Sequence, residues 1–166
     1  IDPNGKPTFI NIEQKVKLRF SNGDFVNLVE PLTDGAISPH EKLATLFNYY
    51  KENLPLVEAC KKSFKYLQLF LVNEVQSTYL LQGVQIADKH IEIIVKQMTS
   101  KVRIDDSGDT TLLPGEILSL NQAEIINKAA FSANQNPPLF TPILLGLTKA
   151  SLNSDSFISA ASFQET

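Results

Sequence analysis

The sequence LPLVEACKKSFKYLQLFLVNEVQSTYLLQG, at residues 54–83, carries a long and regular apolar pattern. Apolar side chains recur there every three or four residues, which is the spacing of one face of an α-helix. That face consists of Phe64, Leu67, Leu71, Val75 and Thr78/Tyr79. The solvent-facing side is expected to carry Lys61, Lys62 and Lys65. Since Pro55 suits a first helical turn and Gly83 suits the position after a helix end, the pattern predicts one helix from about Leu54 to Gln82.

Shorter helices are predicted on both sides, and the first begins at Ser38-Pro39-His40-Glu41, a capping box with proline at the first helical position. The hydroxyl of Ser38 can accept the backbone N–H of Glu41, and the Glu41 side chain can reach back to the cap. The apolar residues that follow at helical spacing are Leu43, Leu46, Phe47 and Tyr50. Downstream, Asp88 is a good N-cap for a helix from about Lys89 to Ser100. The apolar stripe of that helix consists of Ile91, Ile94, Val95 and Met98.

The start of the chain has a different pattern, because apolar side chains alternate with polar ones. Phe9–Ile12 and Val16–Phe20 are predicted to be short strands. The turn signal Ser21-Asn22-Gly23-Asp24 joins the second strand to the run Phe25–Val29, which indicates a hairpin. This part of the chain is therefore predicted to be a small, turn-rich β module that ends near Ser38.

Strand and helix signals alternate in the C-terminal half. Val102–Ile104 is a candidate strand and is followed by turn-forming residues. Asn121 and Glu124 mark the start of another helix. The core side of that helix is predicted to be Ile125, Ile126 and Ala129. Leu139–Leu147 is an extended apolar stretch interrupted by one proline, and a last helix runs from about Ser154 onward.

These patterns together predict an α+β fold in three parts. A β-rich, barrel-sandwich-like module occupies residues 1–38. A mostly helical core region, with a short β excursion near 102–117, occupies residues 39–136. Residues 137–166 form a separate segment that leads into the last helix.

Both ends of the chain look cut. The final residues, Ser156–Thr166, form an apolar-periodic helix with no stop signal, no glycine and no charged last turn. The first residue, Ile1, is not an initiator methionine. We therefore expect an internal piece of a longer, multidomain polypeptide.

The composition is typical of a soluble globular protein, with 43% hydrophobic and 20% charged residues. No apolar stretch approaches the roughly 20 residues needed to span a bilayer, so no membrane association is expected. The single cysteine, Cys60, excludes an internal disulfide and is typical of a reducing compartment. The net charge of −3 indicates weak nucleic-acid binding by this chain alone, because domains that bind phosphates are usually basic.

No pattern in the sequence predicts a catalytic residue or a metal site. The candidate ligands His40, His90 and Cys60 are far apart and lack any metal-binding spacing. The acidic stretch 105–109 looks like the start of a calcium loop, but no glutamate follows at the twelfth position, which favours a solvated turn. A nucleophile elbow and a phosphate-cradling glycine loop are both absent from the sequence.

One segment has residue types suited to phosphate binding. Gly146-Leu147-Thr148-Lys149-Ala150-Ser151-Leu152 combines a hinge glycine, two hydroxyls and a lysine ahead of a predicted helix start. Side-chain donors, backbone N–H groups and the helix dipole can hold a phosphate at such a place. The alternative is an ordinary loop that leads into a capped helix, and the residue types alone favour that loop.

Several strings of this sequence resemble the late region of the bacterial-type RNA polymerase β′ subunit, the C-terminal part of the largest subunit of DNA-directed RNA polymerase. They are ADKHIEIIVKQM at 87–98, LLPGE at 112–116, LLGLTKASL at 144–152 and SFISAASFQET at 156–166. Two upstream strings, LVNEVQ at 71–76 and QGV at 82–84, match in the same order. The resemblance covers about Gly23 to the C terminus, while residues 1–20 match only loosely.

The string MTSKVRIDD at 98–106 is similar to the version found in cyanobacteria and plastids. In those lineages the subunit is split in two, and the C-terminal piece is called β′ in cyanobacteria and β″ in plastids. The frequent use of Lys, Asn and Ile favours an algal plastid. The resemblance therefore implies the chloroplast stroma, with the cytoplasm of a cyanobacterium as the alternative.

The resemblance implies a role in copying a DNA template into RNA. The catalytic magnesium ions would be bound by another subunit, so no cofactor is expected in this chain, and any structural zinc would lie outside it. The implied partners are the α and β subunits, the N-terminal β′ piece, sigma factor, DNA and RNA. A non-catalytic helical scaffold derived from the same family is the alternative function.

The stretch from about Pro142 to Thr166 resembles the first switch segment of the family, a hinge at the base of the clamp that contacts template DNA. The residues implied to contact DNA or the clamp base are Thr148, Lys149, Ser151, Gln164 and Thr166. Lys96 departs from the family, because it stands where arginine is common. Lysine keeps the charge but loses the planar fork needed for a bidentate contact.

Overall fold

A computed structural model of the chain describes residue 9 and residues 17–27, 29–35, 38–154 and 157–165. The chain divides into two compact units, Ile1–Ile37 and Ser38–Thr166. The three-part division of the sequence stays a prediction.

In the first unit, the described chain pairs Leu18 with Thr33 in an isolated antiparallel bridge. Backbone N–H groups of Arg19 and Asp34 donate to the carbonyls across the bridge at 3.0 and 3.2 Å. The Arg19 Nε and Asp34 Oδ1 atoms lie 2.7 Å apart and add an exposed ion pair to the same place. The pairing closes a loop of about a dozen residues, and the predicted turn at Ser21–Asp24 lies inside it, held by the Asp24 N–H on the Ser21 carbonyl at 3.2 Å.

The predicted hairpin assigned the wrong second strand to the strand that ends at Phe20. The segment at Lys17–Arg19 pairs with Leu32–Asp34, not with the run that directly follows the turn. Phe25, at the start of that run, is fully exposed, so its ring is not packed against the described residues. The predicted strand at residues 9–12 lies outside the described residues except for the exposed Phe9. The predicted barrel-sandwich-like arrangement also depends on residues outside the described ones.

The second unit is built from six helices and three strands within the described residues. In chain order they are α1 (Pro39–Asn53), α2 (Leu56–Leu81), α3 (Asp88–Met98), β1 (Lys101–Asp106), β2 (Ile117–Ser119), α4 (Leu120–Ser132), β3 (Leu139–Ile143), α5 (Leu147–Leu152) and α6 (Phe157–Glu165). The strands form one antiparallel sheet in the order β2-β1-β3. The predicted α+β class is thereby confirmed.

The main core lies where the α1–α2 pair packs on the sheet. Strand β1 alternates as a half-buried strand should, with Val102 and Ile104 buried and Arg103 exposed between them. The buried residues of this core are Leu43, Phe47, Ala59, Cys60, Phe64, Leu67, Val102, Ile104, Ala123, Phe140 and Leu144. Burial raises the pKa of the Cys60 thiol to about 12, so this cysteine is an apolar core residue and not a reactive thiol.

The predicted long helix is confirmed as α2, and Gly83 ends it as expected. Gly83 has φ +74°, its N–H donates to the Leu80 carbonyl, and the Val84 N–H donates to the Tyr79 carbonyl, both at 3.0 Å. These are the two bonds of a Schellman motif. The three lysines predicted to face the solvent are exposed. The C-terminal end of the predicted apolar face is not buried, since Tyr79 is 38% exposed.

The second half of α2 packs on α3 through a small separate cluster of Val72, Ile91 and Val95. Two glutamines of α2 secure the two ends of α3. The Gln68 amide donates to the Thr99 hydroxyl at 2.7 Å, and the Gln76 amide donates to the Ile86 carbonyl at 2.6 Å and to the Asp88 carboxylate. This brace fixes the chain that enters β1.

The helix caps differ in part from the predicted ones. Ser38 precedes α1, and its hydroxyl accepts the Glu41 N–H at 3.5 Å. Ala87 is the residue that precedes α3, so Asp88 is the first helical residue and the proposal that it acts as the N-cap was wrong. The reason is that the Asp88 carboxylate is engaged by Gln76 of α2 and does not turn back onto its own helix.

The face of α4 that was predicted to be buried is mostly exposed. Ile125 is 67% exposed and Ala129 is exposed, and only Ile126 of the predicted set is half-buried. The buried residues of the helix are Ala123, Asn127 and Ala130. Small side chains allow this helix to approach its neighbours closely, so the face with less apolar bulk is the inner one. The helix also begins earlier than predicted. Its first residue is Leu120, and Ser119 and Gln122 form the full capping box.

An ion-pair network joins α4 to α2. Glu124 accepts from Lys61 Nζ at 2.8 Å and from Lys128 Nζ at 2.9 Å. The hydrogen bonds from the two ammonium groups lower the pKa of the Glu124 carboxyl to about 2 from its usual 4.5.

Glu124→Gln should make the stability of the chain less sensitive to acid. A carboxyl whose pKa is lowered by folding stabilises the native state above its unfolded pKa, and this stabilisation is lost as the pH falls. The window here runs from 4.5 down to about 2. Thermal unfolding followed across this window checks it, with Glu52→Gln on the exposed side of α1 as the control. An equal loss of stability in acid for Glu124→Gln and the unsubstituted chain would contradict the role of Glu124.

Among the described residues, no helix has both the length and the apolar character needed to cross a membrane.

Candidate nucleic-acid interface

The segment that follows β3 is held firmly by the core. Pro142 pairs with Val102 in the sheet, and the first two residues after β3, Leu144 and Leu145, are 9% and 5% exposed. The Leu145 N–H donates to the Met98 carbonyl at 2.9 Å, which joins this segment to the end of α3. Helix α5, which comes next in the chain, is therefore anchored to the core at its N-terminal side.

Residues 147–152 form a short helix, α5, and not the loop that the sequence favoured. Gly146 precedes it, and the Gly146 carbonyl accepts the Ala150 N–H at 2.9 Å. The expected last helix is therefore preceded by another helix and not directly by a loop. With only six residues, α5 is too short to show a helical period, and the glycine hid its start.

The faces of α5 separate the predicted contact residues. Thr148 and Lys149 are exposed and adjacent, while Ala150 is only 5% exposed. Ser151 is half-buried and lines a cavity of about 210 Å³ between α3 and α5. The structure therefore brings Thr148 and Lys149 together on the outer face and turns Ser151 towards α3.

The remaining predicted contacts lie on or beyond α6. Gln164 is exposed near the end of this helix, and Thr166 lies outside the described residues. Two large apolar side chains of this helix are exposed in the described chain, Ile158 at 78% and Phe163 at 36%. Ala160 and Ala161 are half-buried.

Sequence reasoning missed a groove that is rich in lysine. It has a volume of about 620 Å³ and lies where α2, the end of α3 and the start of β1 meet. Its four lysines are Lys61, Lys65, Lys96 and Lys101. The pair at 61 and 65 is one helical turn apart, which the sequence shows. The other two lysines reach the same groove only through the α2–α3 packing, which the sequence does not show.

No three or more histidine, cysteine, aspartate or glutamate side chains gather as a possible metal site in the part of the chain that the structure describes.

Comparison with known proteins gives the class of this fold. Residues 47–155, which run from the second half of α1 through α5, match the family described as RNA polymerase Rpb1, domain 5. The chain is 62% identical over 151 residues to the DNA-directed RNA polymerase subunit beta'' of Emiliania huxleyi. The aligned residues cover 91% of this chain and 12% of that relative. It is 58% identical over 150 residues to the subunit beta'' of Rhodomonas salina, covering 90% and 12%.

A third relative is the DNA-directed RNA polymerase subunit beta' of Prochlorococcus marinus subsp. pastoris, which is 60% identical over 146 residues, covering 88% of this chain and 11% of the relative. The chain belongs to the largest-subunit family of RNA polymerases, and its residues 47–155 correspond to Rpb1 domain 5. It spans about 12% of the length of the relatives that it matches.

Proposed function

We propose that this chain works as part of the β″-type subunit of a DNA-dependent RNA polymerase, and that α5 contacts DNA in the cleft of the assembled enzyme. The observation that carries the proposal is the placement of α5. Thr148 and Lys149 are exposed side by side on a helix that Leu144, Leu145 and Ala150 hold against the core. A lysine and a hydroxyl presented from a rigid element are suited to a phosphate contact.

The net charge of −3 supports a role inside an assembly rather than alone. An isolated chain of this charge gains little from the release of counterions, which supplies much of the affinity for nucleic acid. In the assembled polymerase, the α and β subunits, the N-terminal β′ piece and sigma factor would complete the enzyme around DNA and RNA. Two magnesium ions bound by another subunit would supply the catalytic chemistry.

We further propose that α5 acts as part of a switch at the base of the clamp. The short helix is joined to the core at Leu145 and followed by α6, whose Ile158 is largely exposed in this chain. A rigid-body movement of α5 together with α6 about Gly146 would be a hinge transition of the kind that switches use. The β″ relatives favour a plastid as the compartment, with a cyanobacterial cytoplasm as the alternative.

Lys149→Ala should shorten the lifetime of polymerase–promoter complexes and reduce its dependence on salt. Loss of one phosphate contact lowers the slope of log K against log salt by about 0.9 on duplex DNA. The measurements are the equilibrium constant for DNA binding and the dissociation rate of the complexes, both made with the assembled polymerase across a salt series. The control is Lys89→Ala, an exposed lysine in the first turn of α3.

An unchanged lifetime and slope for Lys149→Ala would contradict the phosphate contact. An equal effect for Lys89→Ala would show a general effect of charge and would also contradict it. Lys149→Arg should keep the contact, because it keeps the charge at the same place.

A further inference from the structure

We propose that the lysine groove between α2, α3 and β1 is a second nucleic-acid site, which binds the sugar–phosphate backbone. The inference rests on the proposed function, because it places nucleic acid beside this part of the subunit in the assembled enzyme. It concerns residues that are separate from the exposed face of α5.

Three elements bring their lysines to the groove. Lys61 and Lys65 lie one turn apart on α2, Lys96 lies in the last turn of α3, and Lys101 is the first residue of β1. The brace from Gln68 to Thr99 fixes the end of α3 against α2 at 2.7 Å. The relative positions of the lysine backbones are therefore set by packing and not by a loop.

The charge of the groove is only partly compensated. Lys61 is paired with Glu124 at 2.8 Å. Lys65, Lys96 and Lys101 form no ion pair with the described residues, and the groove lining contains no carboxylate. On α3, Glu92 lies four residues before Lys96 and lines an adjoining cavity together with Lys65 and Lys96. A concentration of positive charge in a chain of net charge −3 is a local feature that attracts anions.

The lining favours a phosphate backbone over an acidic protein segment. Of the thirteen lining residues, eleven are polar, and the apolar ones are Phe64 and Leu120. Protein interfaces are centred on aromatic and apolar side chains, whereas phosphates are bound by lysines together with amide and hydroxyl donors. Exposed amides at Gln97, Asn121 and Asn153 supply such donors here.

The groove also extends to the end of α5. Its volume of about 620 Å³ lies along the surface, and Asn153 at the end of α5 lines it. A strand that contacts Lys149 could thus continue past Asn153 towards Lys96.

The test uses the assembled polymerase with Lys65→Gln and Lys96→Gln combined, and it measures the salt dependence of DNA binding. Loss of two phosphate contacts should lower the slope of log K against log salt by about 1.4 for a single strand or 1.8 for duplex DNA. Between 50 and 200 mM salt, the variant should then lose roughly tenfold less affinity than the unsubstituted enzyme. The matched control is Lys62→Gln, which removes an exposed lysine of α2 that lies over the Tyr50 ring, outside the groove.

A photoreactive residue at position 65, compared with one at position 62, identifies what fills the groove without relying on affinity. Cross-links to DNA or RNA from position 65 only would support the proposal. Cross-links from position 65 to another polymerase subunit, or a slope equal to that of the unsubstituted enzyme, would overturn it. If the slope falls for Lys149→Ala but not for the groove variant, only the groove inference fails. If the unsubstituted chain does not enter a polymerase, the proposed function fails as well.

Discussion

Phe140→Ala is expected to lower the free energy of unfolding by about 3–5 kcal/mol. Phe140 lies in β3, is 1% exposed and packs in the core between the sheet and the α1–α2 pair. Removing the ring takes apolar surface out of the core and leaves a cavity that the rigid sheet cannot close. Since domains of this size are stable by about 5–15 kcal/mol, the variant should be near the limit of folding.

Chemical denaturation followed by circular dichroism measures this loss. Phe131→Ala is the control, because Phe131 lies on α4 and is 64% exposed. Its truncation should cost less than about 1 kcal/mol. Similar losses for the two variants would contradict the placement of the core between the sheet and α1–α2.

Gly108→Ala is expected to cost about 2–5 kcal/mol, for two reasons that add together. Gly108 has φ +56°, a backbone conformation that costs an L side chain about 1–2 kcal/mol. A Cβ atom there would also lie 2.5 Å from the Asn136 carbonyl oxygen and 2.8 Å from that of Pro137. Both obstacles are backbone atoms in the chain that enters β3, so they can move only if that chain moves.

Gly115→Ala separates the two contributions. Gly115 has φ +86°, but a Cβ atom there meets nothing within 4 Å. Its substitution should therefore cost only the backbone strain, about 1–2 kcal/mol. The same denaturation measurement gives the difference between the two glycines. If Gly108→Ala costs no more than Gly115→Ala, the close approach of the turn to residues 136–137 is wrong.

Features of the fold with a strong local cause could be predicted from sequence. Three features each depend on residues that are near one another in sequence. They are the helical periodicity of α2, the glycine at its end and the alternation around Val102–Ile104. The errors fall where the cause is tertiary. Asp88 has the residue type of an N-cap, but Gln76 of another helix binds its carboxylate. Ile125 has the residue type of a core position, but α4 packs by its small side chains.

The candidate site could be predicted only in part, for the same reason. Thr148 and Lys149 are adjacent in sequence, so any regular local structure keeps them together. Their separation from Ser151 follows from the packing of α5 on α3. The lysine groove needs Lys65, Lys96 and Lys101 to converge from three elements, and a single sequence carries no periodic signal for such a convergence.

The position of Lys149 against DNA is tested most directly by a photoreactive residue placed at position 149 in a transcribing polymerase assembled with this subunit. The DNA strands carry distinct labels, and position 89 on α3 serves as the exposed control. We expect a cross-link from position 149 to the template strand and none from position 89. An actively transcribing complex in which position 149 gives no cross-link to DNA, or gives only cross-links to protein, would contradict the proposal that α5 contacts DNA.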